Sequence, residues 1–272
     1  MTTIAMALQT AGIAALEARM LLAAMLRVSD VYLIAHDDQS LSAAEVERYR
    51  LLLARRAAGE PVAYITGERE FFSRAFHVTP TVLIPRPETE LLVELALERV
   101  PASSSATVLD LGTGSGCIAI SIALARGGAR VMAVDQSTEA LAVARGNAAR
   151  LGAGNVVFAQ SNWFDAVREQ RFDIIVSNPP YVAQGDAHLT QGDLRFEPPA
   201  ALSSGANGLA DIRTIVTGAQ AQLVPGAWLL FEHGYDQAAL CRALLAQAGF
   251  TAVQSWRDLS DIERVSGGRA PL

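Results

Sequence analysis

The chain reads as an α/β protein, a mostly parallel sheet wound on both faces and preceded by a small helical domain and a β-hairpin connector. Three observations predict this. From Thr107 onward, apolar runs of strand length alternate with stretches of helical periodicity, the pattern of successive βαβ units. The first strand passes into its helix through a glycine-rich turn, Gly112-Thr113-Gly114-Ser115-Gly116. Before all of this, residues 1–66 are rich in Ala, Leu and Arg and carry helical signals.

Composition narrows the classes. With 272 residues, 51% of them hydrophobic and 18% charged, the chain is long enough for a sizeable core and unlike a disordered one. No apolar stretch reaches membrane-spanning length: Gln9, Glu17, Arg19 and Arg27 interrupt the most apolar early segment. A charged leader and small-residue cleavage site are also missing, so a signal peptide is not expected. Cys117 and Cys241 offer neither a disulfide framework nor metal-ligand spacing, which predicts no metal and a cytoplasmic location. Cys117 follows the glycine turn at a helix start, where a thiol pKa can fall, but it reads foremost as a small packing residue. The net charge is −6 and the longest basic run is Arg55-Arg56, which weakens a nucleic-acid substrate and favours a protein.

Taken in order, residues 1–66 form the helical domain. Leu16, Met20, Leu21, Ala23 and Ala24 fit one helix face. Asp37-Asp38-Gln39-Ser40 is a loop, and Ser42 with Glu45 makes a capping box that opens the next helix. That helix carries Val46, Tyr49, Leu52 and Leu53 as a stripe and ends near Gly59-Glu60-Pro61. Residues 67–84, with Phe71, Phe72, Phe76, Val78 and Pro80, are the hairpin connector, and 85–272 form the catalytic domain. There Thr89 leads a helix to about Val100, and 101–105 is a loop. Strands are expected at 107–111, 130–135, 156–160, 172–177, 227–232 and 250–255, with a last edge strand at 264–269. Helices are expected at 115–126, 137–151, 209–223 and 236–248.

The glycine turn lets the backbone approach a ligand closely at a helix N-terminus. Asp135 ends the second strand, where a carboxylate can accept both hydroxyls of a ribose. Position 117, where the dinucleotide fingerprint wants its third glycine, is Cys. Asp110 beside the turn would repel a pyrophosphate but attract an ammonium. These features favour S-adenosylmethionine over NAD. Trp163, after the third strand, is placed to wall an adenine, with Asn162 as a partner for its edge.

Asn178-Pro179-Pro180-Tyr181 closes the fourth strand. Two prolines cannot continue a ladder, so they stop the strand and set an extended path. Asn178 then offers a donor and an acceptor and Tyr181 a flat face, a pair suited to a planar NH2-bearing group.

These elements together resemble the HemK/PrmC family, the protein-(glutamine-N5) methyltransferases that modify class I peptide-chain release factors. The likeness runs over nearly the whole chain. It rests most specifically on Pro85-Arg86-Pro87-Glu88-Thr89-Glu90 and Gly192-Asp193-Leu194-Arg195-Phe196-Glu197-Pro198, together with the glycine turn, Asn178-Pro179-Pro180-Tyr181 and Phe231-Glu232-His233-Gly234. The resemblance implies a class I, seven-stranded S-adenosylmethionine-dependent methyltransferase with a switch point between its first and fourth strands. It implies that Gly112, Thr113, Gly114, Ser115 and Gly116 line the methionine moiety, Asp135 the ribose and Trp163 the adenine. Asn178, Pro179, Pro180 and Tyr181 would hold the substrate glutamine in a Gly-Gly-Gln loop, with the product S-adenosylhomocysteine. Residues 1–66 would recognise the release factor.

Asn178 Oδ1 and the Pro179 carbonyl are the expected acceptors for the amide protons, with Tyr181 packed on the carboxamide. Arg86 and Glu88 either grip the substrate backbone or form a helix-entry ion pair. Asp193, Arg195 and Glu197 are either part of a mobile cover or an ordinary solvated loop. His188 reads as a loop residue and Glu232 as structural. A monomer without stable nucleic-acid binding is expected. The rival readings are a glutamine methyltransferase of a ribosomal protein, an adenine-N6 methyltransferase, a donor-binding scaffold and an NAD-dependent dehydrogenase.

Overall fold

In the computed structural model, residues 1–101 and 105–272 are described; most of the loop expected at 101–105 lies outside them. Packing divides the chain into two units, Met1–Glu68 with Thr190–Phe196, and Arg69–Leu189 with Glu197–Leu272.

The first unit is built from helices Ile4–Gln9, Ala15–Leu26, Asp30–Ala35, Ala43–Ala57 and Val62–Thr66. The capping box is complete: the Ser42 side chain accepts from the Glu45 amide and the Glu45 side chain from the Ser42 amide. Buried Tyr49 donates its hydroxyl to the Ala18 carbonyl at 2.8 Å, joining two helices across a core of Ile4, Leu21, Leu22 and Leu33. The expected face of Ala15–Leu26 is corrected here, because Leu16 and Met20 are exposed. The buried residues are Ala18, Leu21, Leu22 and Ala23, with Met25 partly buried beside them, so Leu21 and Ala23 of the expected set face the core; the stripe is masked in the sequence by apolar residues on all sides. Segment Thr190–Phe196 differs from its expected place in the catalytic domain. Arg56 donates to Asp193 at 3.0 Å and Arg195 to the Ala58 carbonyl at 2.9 Å.

In the second unit the hairpin Glu68–Phe71/Arg74–His77 is shorter than the expected connector. It is followed by helix α1 (Glu90–Arg99), β1 (Thr107–Leu111), α2 (Cys117–Ala125), β2 (Arg130–Asp135), α3 (Thr138–Leu151), β3 (Val156–Gln160) and β4 (Phe172–Ser177). Then come α4 (Ala210–Gln222), β5 (Leu223–Glu232), α5 (Ala238–Gln247), β6 (Thr251–Arg257) and β7 (Glu263–Arg269). The sheet order is β6-β7-β5-β4-β1-β2-β3, parallel except for β7. Strands leave β1 in both directions, so the topology reverses between β1 and β4, where open α/β sheets hold their ligands.

The last strand corrects the sequence expectation. β7 is not an edge: it lies between β5 and β6, and β6 takes the edge. A Cβ on Gly267 would meet the Leu229 carbonyl at 2.5 Å, so the glycines that weaken its strand signal are what let it fit inside the sheet.

Period-two alternation distributes the strands over two cores. Val108, Ile174 and Val176 face α1 and α2, while Leu109, Leu111 and Ile175 face α4 and α5. Helix α2 is apolar all round and almost wholly buried; each of its isoleucines contributes about 1.5–3 kcal/mol by leaving water. Buried Asn147 on α3 accepts from the His77 amide at 2.8 Å and donates to the His77 and Ser115 carbonyls, both at 2.9 Å. One side chain thus ties the hairpin to the glycine turn.

Candidate active site

A crevice of about 480 Å³ opens at the carboxyl ends of β1 to β4. Its walls include Gly112 to Ser115 from the turn after β1, Asp135 to Ser137 after β2, Ser161 to Trp163 after β3, and Asn178 and Pro180 after β4. Residues 80–83, Arg86 and Thr89 close another side.

The turn is shaped by backbone constraint. Gly112, Gly114 and Gly116 all have positive φ (71°, 55° and 83°), a region that costs other residues about 1–2 kcal/mol. A Cβ on Gly116 would lie 2.8 Å from Ile120 Cδ1 and 3.1 Å from Ala144 Cβ, so this glycine is also required by helix packing. A Cβ on Gly114 would meet nothing within 4 Å, which leaves the turn open for a ligand.

Asp135 lines the crevice as expected, and its two oxygens accept from the Gly114 and Ser137 amides, each at 2.9 Å. Burial raises its pKa against these bonds. A carboxylate has about four acceptor positions, so it can still take two hydroxyls. Trp163 has φ +50°, a strained conformation for a bulky residue, and Ser161 holds its carbonyl at 2.8 Å. Its indole lies 3.6 Å from where a Gly112 Cβ would stand, so the ring walls the glycine turn.

Asp110 is placed differently from the expectation. It is fully buried on the α2 face and is not among the crevice-lining residues. Thr113 donates its hydroxyl to Asp110 Oδ2 at 2.6 Å, while Oδ1 has no partner. Burial pushes its pKa up to about 7. The period-two alternation that sends Leu109 and Leu111 to one face sends Asp110 to the other, beneath the turn rather than beside a ligand. Cys117 lines the crevice, but burial pushes its thiol up to about 12, opposite to what a helix start alone predicts.

Of the Asn178–Tyr181 quartet, Asn178 and Pro180 line the crevice; Pro179 and Tyr181 do not. Asn178 Nδ2 donates to Thr89 Oγ1 at 3.1 Å, and Asn178 Oδ1 is shielded from water without any partner. The Tyr181 ring packs against the core beneath α4 and its hydroxyl donates to Glu232 Oε1 at 3.1 Å. The expected stacking of Tyr181 on a carboxamide is therefore not prepared by this arrangement. A hydroxyl drawn to the buried Glu232 carboxyl turns the ring into the core.

Arg86 lines the crevice and pairs with Glu197, whose other oxygen accepts from the Ile84 amide at 3.0 Å. The ion pair expected near the helix entry exists, but with Glu197 in place of Glu88. Glu197 is buried, so it is part of the wall's foundation and not of a mobile cover. Glu88 is not among the lining residues; its charge raises the pKa values of Tyr181 and Glu232. His188 is an exposed loop residue bonded to Asp186.

Sequence reasoning passed over Thr89 as a helix entry and Glu232 as plain structure. Thr89 is buried with no capping bond to α1; its hydroxyl faces Asn178 instead. Glu232, wholly buried at the end of β5, has its pKa pushed up to about 7 by burial, with the Thr89 and Tyr181 hydroxyls opposing the rise. The signal for Thr89 was its place within the specific Pro85–Glu90 segment. Among the described residues, no group of three or more His, Cys, Asp or Glu could hold a metal ion, and no helix is long and apolar enough to cross a membrane.

Two family models match this chain: the Methyltransferase small domain over residues 88–202 and the PrmC N-terminal domain over residues 2–67. The chain is 54% identical over 275 residues to the release factor glutamine methyltransferase of Burkholderia pseudomallei, covering 99% of this chain and 96% of the relative. It is 53% identical over 258 residues to the same-named protein of Bordetella pertussis, covering 94% and 95%. Among solved structures, a methyltransferase from Pyrococcus furiosus gives a TM-score of 0.57 at 18% identity, covering 80% of this chain and 98% of that one, a likeness of fold alone.

Proposed function

Because the chain belongs to the release factor glutamine methyltransferases, we infer that it transfers a methyl group from S-adenosylmethionine to the side-chain amide nitrogen (N5) of a release-factor glutamine. The substrate is the glutamine of the Gly-Gly-Gln motif in class I release factors, and the second product is S-adenosylhomocysteine. The observation that carries the assignment to this crevice is Asn178 Oδ1, a buried acceptor with no partner in the wall. An orphaned acceptor costs about 1–3 kcal/mol, and an incoming amide N–H removes that cost.

The residues present fit the cofactor. Gly112, Thr113, Gly114, Ser115 and Gly116 give an open, close-approach backbone for the methionine part, and Ser115 Oγ is a second buried polar atom without a partner. Asp135 has acceptor positions left for a ribose and Trp163 supplies a flat wall for an adenine. Asp110 acts from below, holding Thr113. When bound, the cofactor supplies a methyl group already activated by a sulfonium charge.

The protein's task is placement. Asn178 Oδ1 accepts one amide N–H of the substrate, which turns the amide so that the nitrogen's electron pair can meet the methyl; the Pro179 carbonyl, expected as a second acceptor, does not line the crevice. Orientation of this kind is worth on the order of 7 kcal/mol. Accepting this N–H also draws electron density toward nitrogen as its positive charge develops. With the cofactor bound, an N–C bond would form as the S–C bond breaks and the extra amide proton would pass to water, so no crevice side chain is required as a general base. Pro180 sets the crevice edge, and Tyr181 acts through Glu232. Arg86, held by Glu197, presents charge near the substrate entrance, with Glu88 beside it.

We assign release-factor recognition to residues 1–66, with 67–84 as connector and 85–272, apart from the segment Thr190–Phe196 that folds with the helical unit, as the catalytic part. The protein is read as a cytoplasmic monomer that forms no stable nucleic-acid complex; the net charge of −6 and the absence of a Lys/Arg stripe support the last point. Methyl transfer to purified release factor, to a variant lacking the target glutamine, and to duplex DNA tests the reading. Methylation of the first alone is expected; equal methylation of the glutamine-free variant, or of DNA, overturns it.

A further inference from the structure

We infer that Thr89 and Glu232 form a positioning relay that fixes which way the Asn178 carboxamide faces. The inference rests on the reading of Asn178 Oδ1 as the substrate's acceptor. A carboxamide is nearly symmetric in shape, and a half-turn exchanges its oxygen for its NH2. A flipped Asn178 would set its own NH2 against the substrate's NH2, donor against donor. Something in the wall must exclude that state.

Asn178 Nδ2 donates to Thr89 Oγ1 at 3.1 Å. This bond alone does not settle the orientation, because a hydroxyl is both donor and acceptor and would bond equally well to a flipped Oδ1. The orientation is set only if the Thr89 proton is already committed. Glu232 is the acceptor that commits it. Its carboxyl is wholly buried at the end of β5, and Tyr181 donates to Oε1 at 3.1 Å. Oε2 is buried with no hydrogen bond of its own, so it is open to the Thr89 proton. The Thr89 hydroxyl lies close enough to favour the charged carboxylate, as does Arg264, whereas Glu88 opposes it.

With its proton held toward Glu232, Thr89 can only accept from Asn178, and Nδ2 must face it. Oδ1 is then left for the substrate. Tyr181 gains a role in the same chain, because by occupying Oε1 it leaves Oε2 for Thr89. Three elements far apart in sequence therefore act together on one rotamer: the entry to α1, the end of β4 and the end of β5.

The test compares Thr89→Val, Thr89→Ser, Glu232→Gln and Asn178→Ala in the full chain. Steady-state kinetics on release factor, S-adenosylmethionine affinity and thermal unfolding are measured for each. Thr89→Val removes the hydroxyl with little change of shape and is expected to lower kcat roughly tenfold or more, with KM and cofactor affinity largely unchanged. Thr89→Ser restores the hydroxyl and is expected to recover most of the turnover. Glu232→Gln puts an N–H donor against Thr89, frees the hydroxyl proton to turn toward Asn178, and is expected to lower kcat as Thr89→Val does. Wild-type turnover in Thr89→Val or Glu232→Gln, with Asn178→Ala inactive, overturns the relay and leaves the Asn178 reading intact. A Thr89→Ser protein as slow as Thr89→Val and equally destabilised also overturns it, in favour of plain packing. Wild-type turnover in Asn178→Ala overturns the parent reading and the relay with it.

Discussion

The two sides of the crevice, divided where the strand order reverses, are built on different physical grounds. On the β1–β2 side the shape comes from backbone: three glycines at positive φ, amides at 2.9 Å from both oxygens of Asp135, and a strained Trp163 against the turn. On the β4–β5 side it comes from side chains linked across the sheet, Asn178 to Thr89 and Tyr181 to Glu232, with two acceptor atoms left unpaired. The first kind of wall is set before any ligand arrives. The second presents Asn178 Oδ1, an unpaired acceptor at the crevice that a donor-bearing substrate can relieve, whereas the unpaired atoms of the first are Ser115 Oγ and, beneath the turn, Asp110 Oδ1. A cofactor shared by many enzymes suits the first, and a substrate that must be chosen suits the second.

The sharpest way to break this contrast is Asn178→Ala. Loss of a preorganised transition-state contact is expected to cost about a hundredfold or more in turnover, with cofactor affinity kept. Equal loss of both, read by titration and single-turnover kinetics, would mean the two sides are not separable. Arg86→Ala should come next, because it leaves the buried Glu197 carboxylate without its ion partner. The Arg86 side chain is one-quarter exposed, which discounts the effect to about 2 kcal/mol of unfolding free energy. Gly116→Ala tests the backbone side. It combines a positive φ with the Ile120 contact and is expected to cost about 1–2 kcal/mol in denaturant unfolding. Gly114→Ala, with open space around it, should cost less in stability while still lowering cofactor affinity.

The last expected effect is on pH dependence. Asp110 is raised from 3.8 to about 7 in the folded protein, and Glu232 from 4.5 to about 7. Between those values the folded state holds protons that the unfolded chain has released, so stability falls as pH rises from about 4 to about 7 and levels off above. Asp110→Asn removes one of the two contributions. It should flatten the stability profile across that window while leaving its alkaline plateau higher. Urea unfolding at about pH 5 and about pH 8 checks this.

The same contrast explains what was legible in the sequence. Four strands, β1 to β4, have the bounds expected from their apolar runs; β1, β2 and β4 are mostly buried parallel strands that write their length directly, and β3, half-exposed at the sheet edge, is bounded instead by the turns on either side. The glycine turn and Asp135 were legible for the same reason: their chemistry is local to one strand end. The side-chain wall was not. Glu197 lies 111 positions from Arg86, and Thr89 lies 89 from Asn178, separations at which no periodicity speaks. Asp110 stands beside the turn in sequence, but the alternation of β1 that turns Leu109 and Leu111 to one face puts it beneath the turn on the other. The interior position of β7 escaped for a related reason, since its glycines look like strand breakers until the neighbouring carbonyl is seen.

The stretch Thr190–Phe196 has a topological consequence. The polypeptide leaves the methyltransferase unit after Leu189, folds with the helical unit, and returns at Glu197, whose carboxylate then anchors Arg86. Together with the junction after Glu68, that makes three covalent crossings where a simple fusion would have one. The helical part is stitched in rather than appended. Trimming the chain back to the sheet would strand Asp193 and Arg195 without Arg56 and Ala58, so any smaller version of this enzyme would have to resew that loop as well as shorten the N-terminus.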